Sequence, residues 1–355
     1  MVKVVIAMSG GVDSSVAAAL LKEQGYEVIG VTMNIWQGSK ISPLRYRHRC
    51  YGPEEEEDTQ DAKEVAQILG MPFYIFDLRK EYQDGVLDYF HQEYSQGRTP
   101  NPCVVCNERI KLGALLDKIE AAGIKADYMA TGHYAQVEYD KEKERYLLKK
   151  AKDFSKDQSY FLFSLSQAKL SRLIFPLGGY AKEEIKRKAR DLGLRKVCGK
   201  KESQDFGDFS PVVKGGPGPI VDLRGRILGE HKGIHLYTIG QRKGLGVATG
   251  FPLYVIAINR GENAITVGKE EDLYRDGLLA RDLNWIAFDD PTKPIELRAK
   301  IRYRHQEAEA WVYPLSDGKA EVKFARPQKA ITPGQAVVFY HGDIVVGGGW
   351  IEASE

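Results

Sequence analysis

Through the first two hundred residues, short apolar runs alternate with longer stretches whose apolar positions recur at helical spacing. Val4-Val5-Ile6-Ala7-Met8 is short and β-branched enough for a buried strand, and Ser15-Val16-Ala17-Ala18-Ala19-Leu20-Leu21 behind it reads as a helix. The alternation continues with a strand over 27–33 and a helix that opens on the acidic run 54–58 and continues through Ala62, Val65 and Ile68. A strand over 73–78, a long helix near 80–95, a helix from about Glu108 to Ala121 and a strand over 128–131 follow. Such alternation predicts an α/β fold, a parallel sheet covered by helices, with ligands at the carboxyl ends of its strands. Segment 37–53 is polar, with Ser, Gly, Pro and clustered basic residues, and reads as a mobile loop.

The pattern changes near residue 205. Gly215-Gly216-Pro217-Gly218-Pro219 is a strong breaker, and beyond it short alternating segments dominate, among them 253–258, 264–267 and 336–340. Turn signals at Arg260-Gly261, Asp317-Gly318 and His341-Gly342-Asp343 separate such segments, so this half reads as all-β. At 355 residues the chain exceeds a usual single core. The expected division is an N-terminal nucleotide domain over 1–205, a small β-rich domain over 206–273 and a β-barrel over 274–355.

A hydrophobic content of 43% with 28% charged residues fits a soluble globular protein and leaves no apolar run near the ~20 residues of a membrane span. The N-terminus enters a strand without a signal-peptide pattern, and four cysteines with one C-x-x-C do not resemble a secreted disulfide framework. A cytoplasmic protein without a membrane partner is expected. The net charge of +2 does not announce nucleic acid, but its distribution is uneven. Residues 182–201 hold nine Lys/Arg against three acids, around Lys186-Arg187-Lys188. That stretch reads either as a solvated helix face or as a contact to a phosphate backbone. The acidic run 54–58 reads as the solvated start of its helix.

Residues 9–15, Ser-Gly-Gly-Val-Asp-Ser-Ser, lie between the first strand and the first helix. A glycine turn there directs backbone N–H groups and the positive helix end at one point, which suits a phosphate. Gly10 and Gly11 allow close backbone approach; Ser9, Ser14 and Ser15 add hydroxyl donors. Asp13 is placed to accept from a turn N–H or to help hold Mg²⁺. The Walker lysine is absent, and the stretch instead resembles the pyrophosphate loop of ATP pyrophosphatases, which cleave ATP between its α- and β-phosphates.

Further along, Arg98-Thr99-Pro100-Asn101-Pro102-Cys103-Val104-Val105-Cys106-Asn107 sets two cysteines three apart, immediately before a predicted helix, where thiol pKa falls. Three readings compete. A structural zinc half-site lacks a second C-x-x-C to complete it. A thioredoxin-like dithiol lacks that fold upstream. A catalytic or cluster-binding pair beside an adenylating loop is the third.

Several segments carry a resemblance together: the pyrophosphate loop, residues 98–107, Ala-Thr-Gly-His-Tyr at 130–134, Lys-Asp-Gln-Ser-Tyr-Phe-Leu at 156–162 and Tyr-Thr-Ile-Gly-Gln-Arg-Lys-Gly-Leu-Gly at 237–246. Arg302-Tyr303-Arg304 and Thr332-Pro333-Gly334-Gln335 extend it, so that nearly the whole chain is similar to the MnmA family of tRNA-specific 2-thiouridylases. The resemblance implies that ATP, with Mg²⁺ neutralising its phosphates, adenylates the C2 oxygen of the wobble uridine. Sulfur then displaces AMP and leaves 2-thiouridine. It implies ATP contacts at Ala7, Met8, Ser9, Gly10, Gly11, Val12, Asp13, Ser14, Met33 and Gly132. It implies tRNA contacts at His133, Lys156, Asp157, Gln158, Arg302, Tyr303 and Gln335, with Asn101, Pro102 and Cys103 against the target base. The implied partners are the anticodon stem-loops of Lys, Glu and Gln tRNAs and a sulfur source, either sulfide or a carrier fed by a cysteine desulfurase.

Two departures bear on the sulfur step. Many members carry Asp where Cys103 stands, and a second catalytic cysteine where this chain has Gly207, in Glu202-Ser203-Gln204-Asp205-Phe206-Gly207-Asp208-Phe209. Cys198 lies nine residues earlier. A C-x-x-C plus one distant cysteine resembles the iron–sulfur branch of tRNA thiolation enzymes, in which three thiolates hold a [4Fe–4S] cluster with one iron open. Cys103, Cys106 and Cys198 are the expected ligands, and Cys50 is spare. A Cys106 persulfide with Cys198 as its partner is the alternative. A different pyrophosphate-loop ligase, or a zinc-stabilised RNA-binding protein, remains from other classes.

Overall fold

The first apolar run forms the middle strand of a parallel sheet. In the computed structural model, which describes residues 1–38, 51–199 and 215–355 apart from the side chains of residues 195 and 198, the chain divides into two units. The first comprises Met1–Val86, Cys103–Gly207 and Asp343–Val345; the second comprises Leu87–Pro102, Asp208–Gly342 and Val346–Glu355.

In the first unit, strand β1 (Lys3–Ala7) leads to helix α1 (Val12–Glu23), β2 (Glu27–Asn34), helix α2 (Glu55–Ile68) and β3 (Phe73–Asp77). Later come β4 (Tyr128–Thr131), the hairpin β5 (Ala135–Asp140) and β6 (Arg145–Lys150), and the short β7 (Leu173–Ile174). The sheet order is β3-β2-β1-β4-β7, all parallel, with Val5 opposite Ile29 on one side and Met129 on the other. Val4, Val5 and Ile6 are fully buried, which explains a continuous apolar run in place of alternation. Ala17 and Ala18 of α1 are equally buried, small side chains that let the helix lie close against the sheet.

Several local expectations need correction. The helix expected from Glu108 starts at Pro102, a residue suited to a first helical position because it has no N–H to leave unpaired. It runs as Pro102–Val105, a π-helical segment Cys106–Ala114 and Leu115–Ala121, so the two cysteines lie inside its first turns, not ahead of it. Ile68 is exposed at the end of α2, while Ala62 and Val65 face the core as expected. The acidic start of α2 is not wholly solvated: the Glu55 carboxylate accepts the backbone N–H groups of Ile35 (2.6 Å) and Trp36 (2.9 Å). Burial pushes its carboxyl pKa up against the lowering effect of those amides. The β5–β6 hairpin was not expected from the alternation; Ile344 and Val345 pair with Lys149 and Leu148 at its edge. Most of loop 37–53, with Cys50, and the segment 202–209 lie outside the described residues.

In the second unit, β8 (Gly218–Val221), β9 (Ile227–His231), β10 (Tyr254–Asn259) and β11 (Ala264–Gly268) form a sheet of order β10-β11-β8-β9 around Ile220, Val255, Ile265 and Val267. Next come β12 (Tyr274–Trp285), β13 (Ile295–Lys300), β14 (Ala308–Pro314), β15 (Ala320–Lys329), β16 (Ala336–His341) and β17 (Ile344–Ser354), whose first two residues, Ile344 and Val345, belong to the first unit. They follow the order β12-β15-β14-β13-β16-β17, and β17 pairs back onto β12, closing a six-stranded barrel without an open edge. The expected class, an α/β parallel-sheet domain followed by a β-rich domain and a C-terminal barrel, is the class observed. Among the described residues no helix is long and apolar enough to cross a membrane.

Ile6→Ala removes buried methylenes at the centre of the parallel sheet and should cost about 2–5 kcal/mol. Hydrogen exchange should read this as faster opening of β1 amides, with protection of β16 unchanged.

Candidate active site

The turn after β1 depends on glycine and leaves the start of α1 uncapped by any side chain. Gly10 has φ +71°, and a Cβ there would lie 2.2 Å from the Asp58 carbonyl oxygen, so only glycine fits. Gly11 is the N-cap of α1 and offers no side chain to cap the first-turn amides, which stay available to an anion at the helix N-terminus. The serines are less available than expected. Ser15 is buried and donates to the Gly11 carbonyl (2.8 Å); Ser14 donates to the same oxygen (3.2 Å) and accepts from the Ser9 amide (3.2 Å). They shape the turn, and only Ser9 is exposed. Met8 is buried among core side chains, Ala7, Val12 and Met33 are half-buried at strand and helix ends, and a Cβ on Gly132 would lie 2.8 Å from the Ser14 nitrogen.

Asp13 is engaged by two groups. Lys182 Nζ donates to both carboxylate oxygens at 2.8 Å, and the Tyr134 hydroxyl donates to Oδ1 at 2.7 Å. The Lys182 ammonium also lies 5.6 Å from the Tyr134 ring centroid. Lys182 is buried while Asp13 keeps about a quarter of its side chain exposed, so the pair opens to solvent on the carboxylate side. Lys182 was expected in a basic stretch facing solvent or RNA. Of the described cations of that stretch, Lys186 pairs with Glu183, Lys188 with Glu23, and Lys196 with Asp61 and Glu64. Those cations, like Lys182, are thus held by carboxylates, three of which (Glu23, Asp61 and Glu64) lie on other elements of the first unit.

Strand β4 ends in the Ala-Thr-Gly-His-Tyr segment. His133 Nδ1 lies 2.7 Å from Thr131 Oγ1, and burial with the nearby Lys111 charge pulls its pKa down to about 3. The Tyr134 amide donates to Gln158 Oε1 (2.9 Å), joining this segment to Lys156-Asp157-Gln158. Asp157 is buried and accepts from the Ala151 amide, the Ser159 amide and the Ser159 hydroxyl; Lys156 is half-buried beside it. Asn107 donates to the Phe161 carbonyl (3.2 Å), which brings the cysteine helix to the same segment. Cys103 is half-buried and Cys106 buried, one turn apart and so on one side of the helix.

Comparison with known proteins fits this geometry. Family models match over most of the chain: a tRNA methyl transferase HUP domain at 2–207, a PRC-barrel domain at 211–269 and an aminomethyltransferase β-barrel domain at 275–351. The chain is 48% identical to the tRNA-specific 2-thiouridylase MnmA of Halothermothrix orenii, over 99% of each protein. It is 49% identical to that of Moorella thermoacetica, over 98% of this chain and 99% of the other. It belongs to the MnmA family of tRNA-specific 2-thiouridylases.

In the second unit, two of the segments that resemble MnmA meet. The Thr99 amide donates to the Pro333 carbonyl (2.9 Å), and Gln335 Nε2 donates to the carbonyls of Thr99 (3.1 Å) and Pro100 (2.8 Å). Asn101 is buried, its amide donating to the Tyr89 hydroxyl, and Arg98 forks onto Glu93. Arg302 donates to the carbonyls of Lys329 and Ala330, and Tyr303 lies under the Lys300 ammonium. Gln335 and Arg302 thus brace the backbone with the groups expected to face RNA.

Cys198 closes the short helix Arg195–Cys198, which Lys196 ties to Asp61 (2.6 Å) and Glu64 (3.1 Å) of α2. Its side chain lies outside the described residues, as does Cys50. Among the described residues no group of three His, Cys, Asp or Glu side chains is arranged for a metal ion. The residues missed by sequence reasoning are Tyr134 and Lys182 as partners of Asp13. The first stood in a quoted segment; the second carried no local signal, since its burial arises from a contact 169 residues away.

A folded pKa near 3 for His133, below the ordinary 6.5, keeps the ring neutral at physiological pH. Its contribution to stability is complete above pH 6.5 and is lost as pH falls toward 3, because the unfolded chain binds the proton more readily. Imidazole NMR shifts of His133 should not titrate between pH 8 and 5.

Proposed function

We propose that this chain is a tRNA 2-thiouridylase acting in the cytoplasm on wobble uridine 34 of the Lys, Glu and Gln tRNAs. What supports the reading most directly is near-full-length identity of 48–49% to proteins of that name, in a chain whose anion turn is built as described. The Gly10-Gly11 turn and the α1 amides hold the phosphates of ATP, Met33 and Gly132 line the nucleoside side, and Asp13 is the carboxylate for Mg²⁺. The metal would neutralise charge on the polyphosphate and make pyrophosphate a better leaving group. The C2 oxygen of uridine then attacks the α-phosphorus, pyrophosphate departs, and sulfur replaces AMP at C2.

The segment Asn101-Pro102-Cys103 takes the target base. Neutral His133 offers a hydrogen bond without charge, while Lys156, Gln158, Arg302, Tyr303 and Gln335 border the RNA; the Asp157 carboxylate acts as the inner brace of its turn. Cys103, Cys106 and Cys198 hold a [4Fe–4S] cluster, which when bound would supply an open iron for sulfide. Two of those thiols share one helix side, in support of this assignment, and the third ends the helix anchored by Lys196. Sulfide, or a carrier loaded by a cysteine desulfurase, supplies the sulfur.

Asp13→Ala should lower tRNA-dependent pyrophosphate release by about a hundred-fold or more, with tRNA retention on filters unchanged. Normal release would remove Asp13 from the ATP site. In anaerobically reconstituted protein, Cys103→Ala should lose both iron and tRNA thiolation, whereas Cys50→Ala should lose neither. Iron-free Cys103→Ala protein that still thiolates tRNA from a persulfide donor would overturn the cluster assignment and return the sulfur step to a Cys106 persulfide with Cys198 as its partner.

A further inference from the structure

Lys182 is a buried cation at the edge of the anion turn, and its ammonium is held by a carboxylate that the proposed reaction requires for a metal. A carboxylate chelated by an ammonium at 2.8 Å through both oxygens is poorly placed to bind a divalent cation until that ammonium moves. A buried lysine, in turn, needs a negative partner in every state of the site. Mg²⁺ and a polyphosphate arriving together satisfy both demands.

We propose that Lys182 is a phosphate-binding residue of the ATP site. In the nucleotide-free protein it neutralises Asp13; on loading, Asp13 turns to the metal and the Lys182 ammonium moves to an oxygen of the polyphosphate. The charges are exchanged pairwise, so no buried charge is left alone at any stage. Three observations place it for this. Lys182 opens a helix, Lys182–Asp191, whose backbone is fixed by the Lys182 amide on Asp153 Oδ2 (3.0 Å), so only the flexible side chain has to travel. The Tyr134 ring, 5.6 Å from Nζ, gives the ammonium an aromatic surface along its path. Asp13 follows the uncapped Gly11 turn by two residues, so the cation already sits at the mouth of the anion site. Lysine supplies a compact charge on a flexible stem, the form suited to a phosphate that moves during reaction. The position stands in for the lysine that this type of loop lacks.

The inference rests on the reading of the loop as an ATP site, and its test uses nucleotide binding without tRNA. That reading of function would instead fail on tRNA-dependent pyrophosphate release, so the two failures are separate. Equilibrium binding of ATP and of AMP is measured by calorimetry, with and without Mg²⁺, on wild type, Lys182→Met, Lys182→Arg and Asp13→Asn. Lys182→Met should weaken ATP about ten-fold or more while AMP changes by less than about two-fold, and Lys182→Arg should recover most of the loss. Asp13→Asn releases the lysine from its carboxylate. It should bind Mg²⁺-free ATP several-fold more tightly than wild type and gain little from added Mg²⁺. Equal changes for ATP and AMP in Lys182→Met, or Mg²⁺-free ATP binding in Asp13→Asn no tighter than in wild type, would reduce Lys182 to a structural brace and overturn the proposal. If Lys182→Met does not fold, the Asp13→Asn comparison alone decides it.

Discussion

The carboxylate of Asp13 is the point on which the first unit's site depends. It receives Lys182 from one helix and Tyr134 from the end of β4, and so fixes the start of α1 against two other elements. Tyr134 passes the connection to Gln158, whose neighbour Asp157 gathers three donors from its own turn. Asn107 reaches the same turn at Phe161, so the cysteine helix is tied to the nucleotide turn through hydrogen bonds and not through packing alone. Groups joined in one buried polar network do not act independently, so the stability costs of double changes along it should not add.

A second brace works on the same principle in the other unit. Gln335 gives its amide protons to the carbonyls of Thr99 and Pro100, and Arg302 gives its own to Lys329 and Ala330. Both side chains were expected to face RNA; in the structure they hold backbone carbonyls in place. On the proposed reading, in which residues 101–103 meet the target base, hydrogen bonds at the neighbouring carbonyls would set the loop's position before RNA arrives.

Much of this was legible in the chain itself. The β-branched run 4–8, the glycine turn and the alanine-rich helix specify their structures locally, because each needs only burial, φ freedom and periodicity. The barrel strands were legible for the same reason. Charge was the poor guide. Glu55 and Lys182 look like surface residues in a linear reading, yet one caps the amides of Ile35 and Trp36 and the other is buried on Asp13. Partners far apart in sequence decide such cases, and no local pattern encodes them. The early start of the cysteine helix was missed for a subtler reason: Pro102 was read as part of a loop, although proline at a first helical position is favourable.

The hairpin of β5 and β6 carries a consequence for how the chain comes off the ribosome. Its edge is completed by Ile344 and Val345, almost two hundred residues after Leu148 and Lys149. Leu148 and Val345 are both fully buried there. The first unit therefore cannot finish folding while the barrel is still being synthesised, and it must wait through most of translation with an exposed strand edge. Such late closure slows folding because distant segments must find each other, and it leaves an interval in which another chain's strand can pair in their place. Strong overexpression, which brings neighbouring nascent chains closer together, would burden this step.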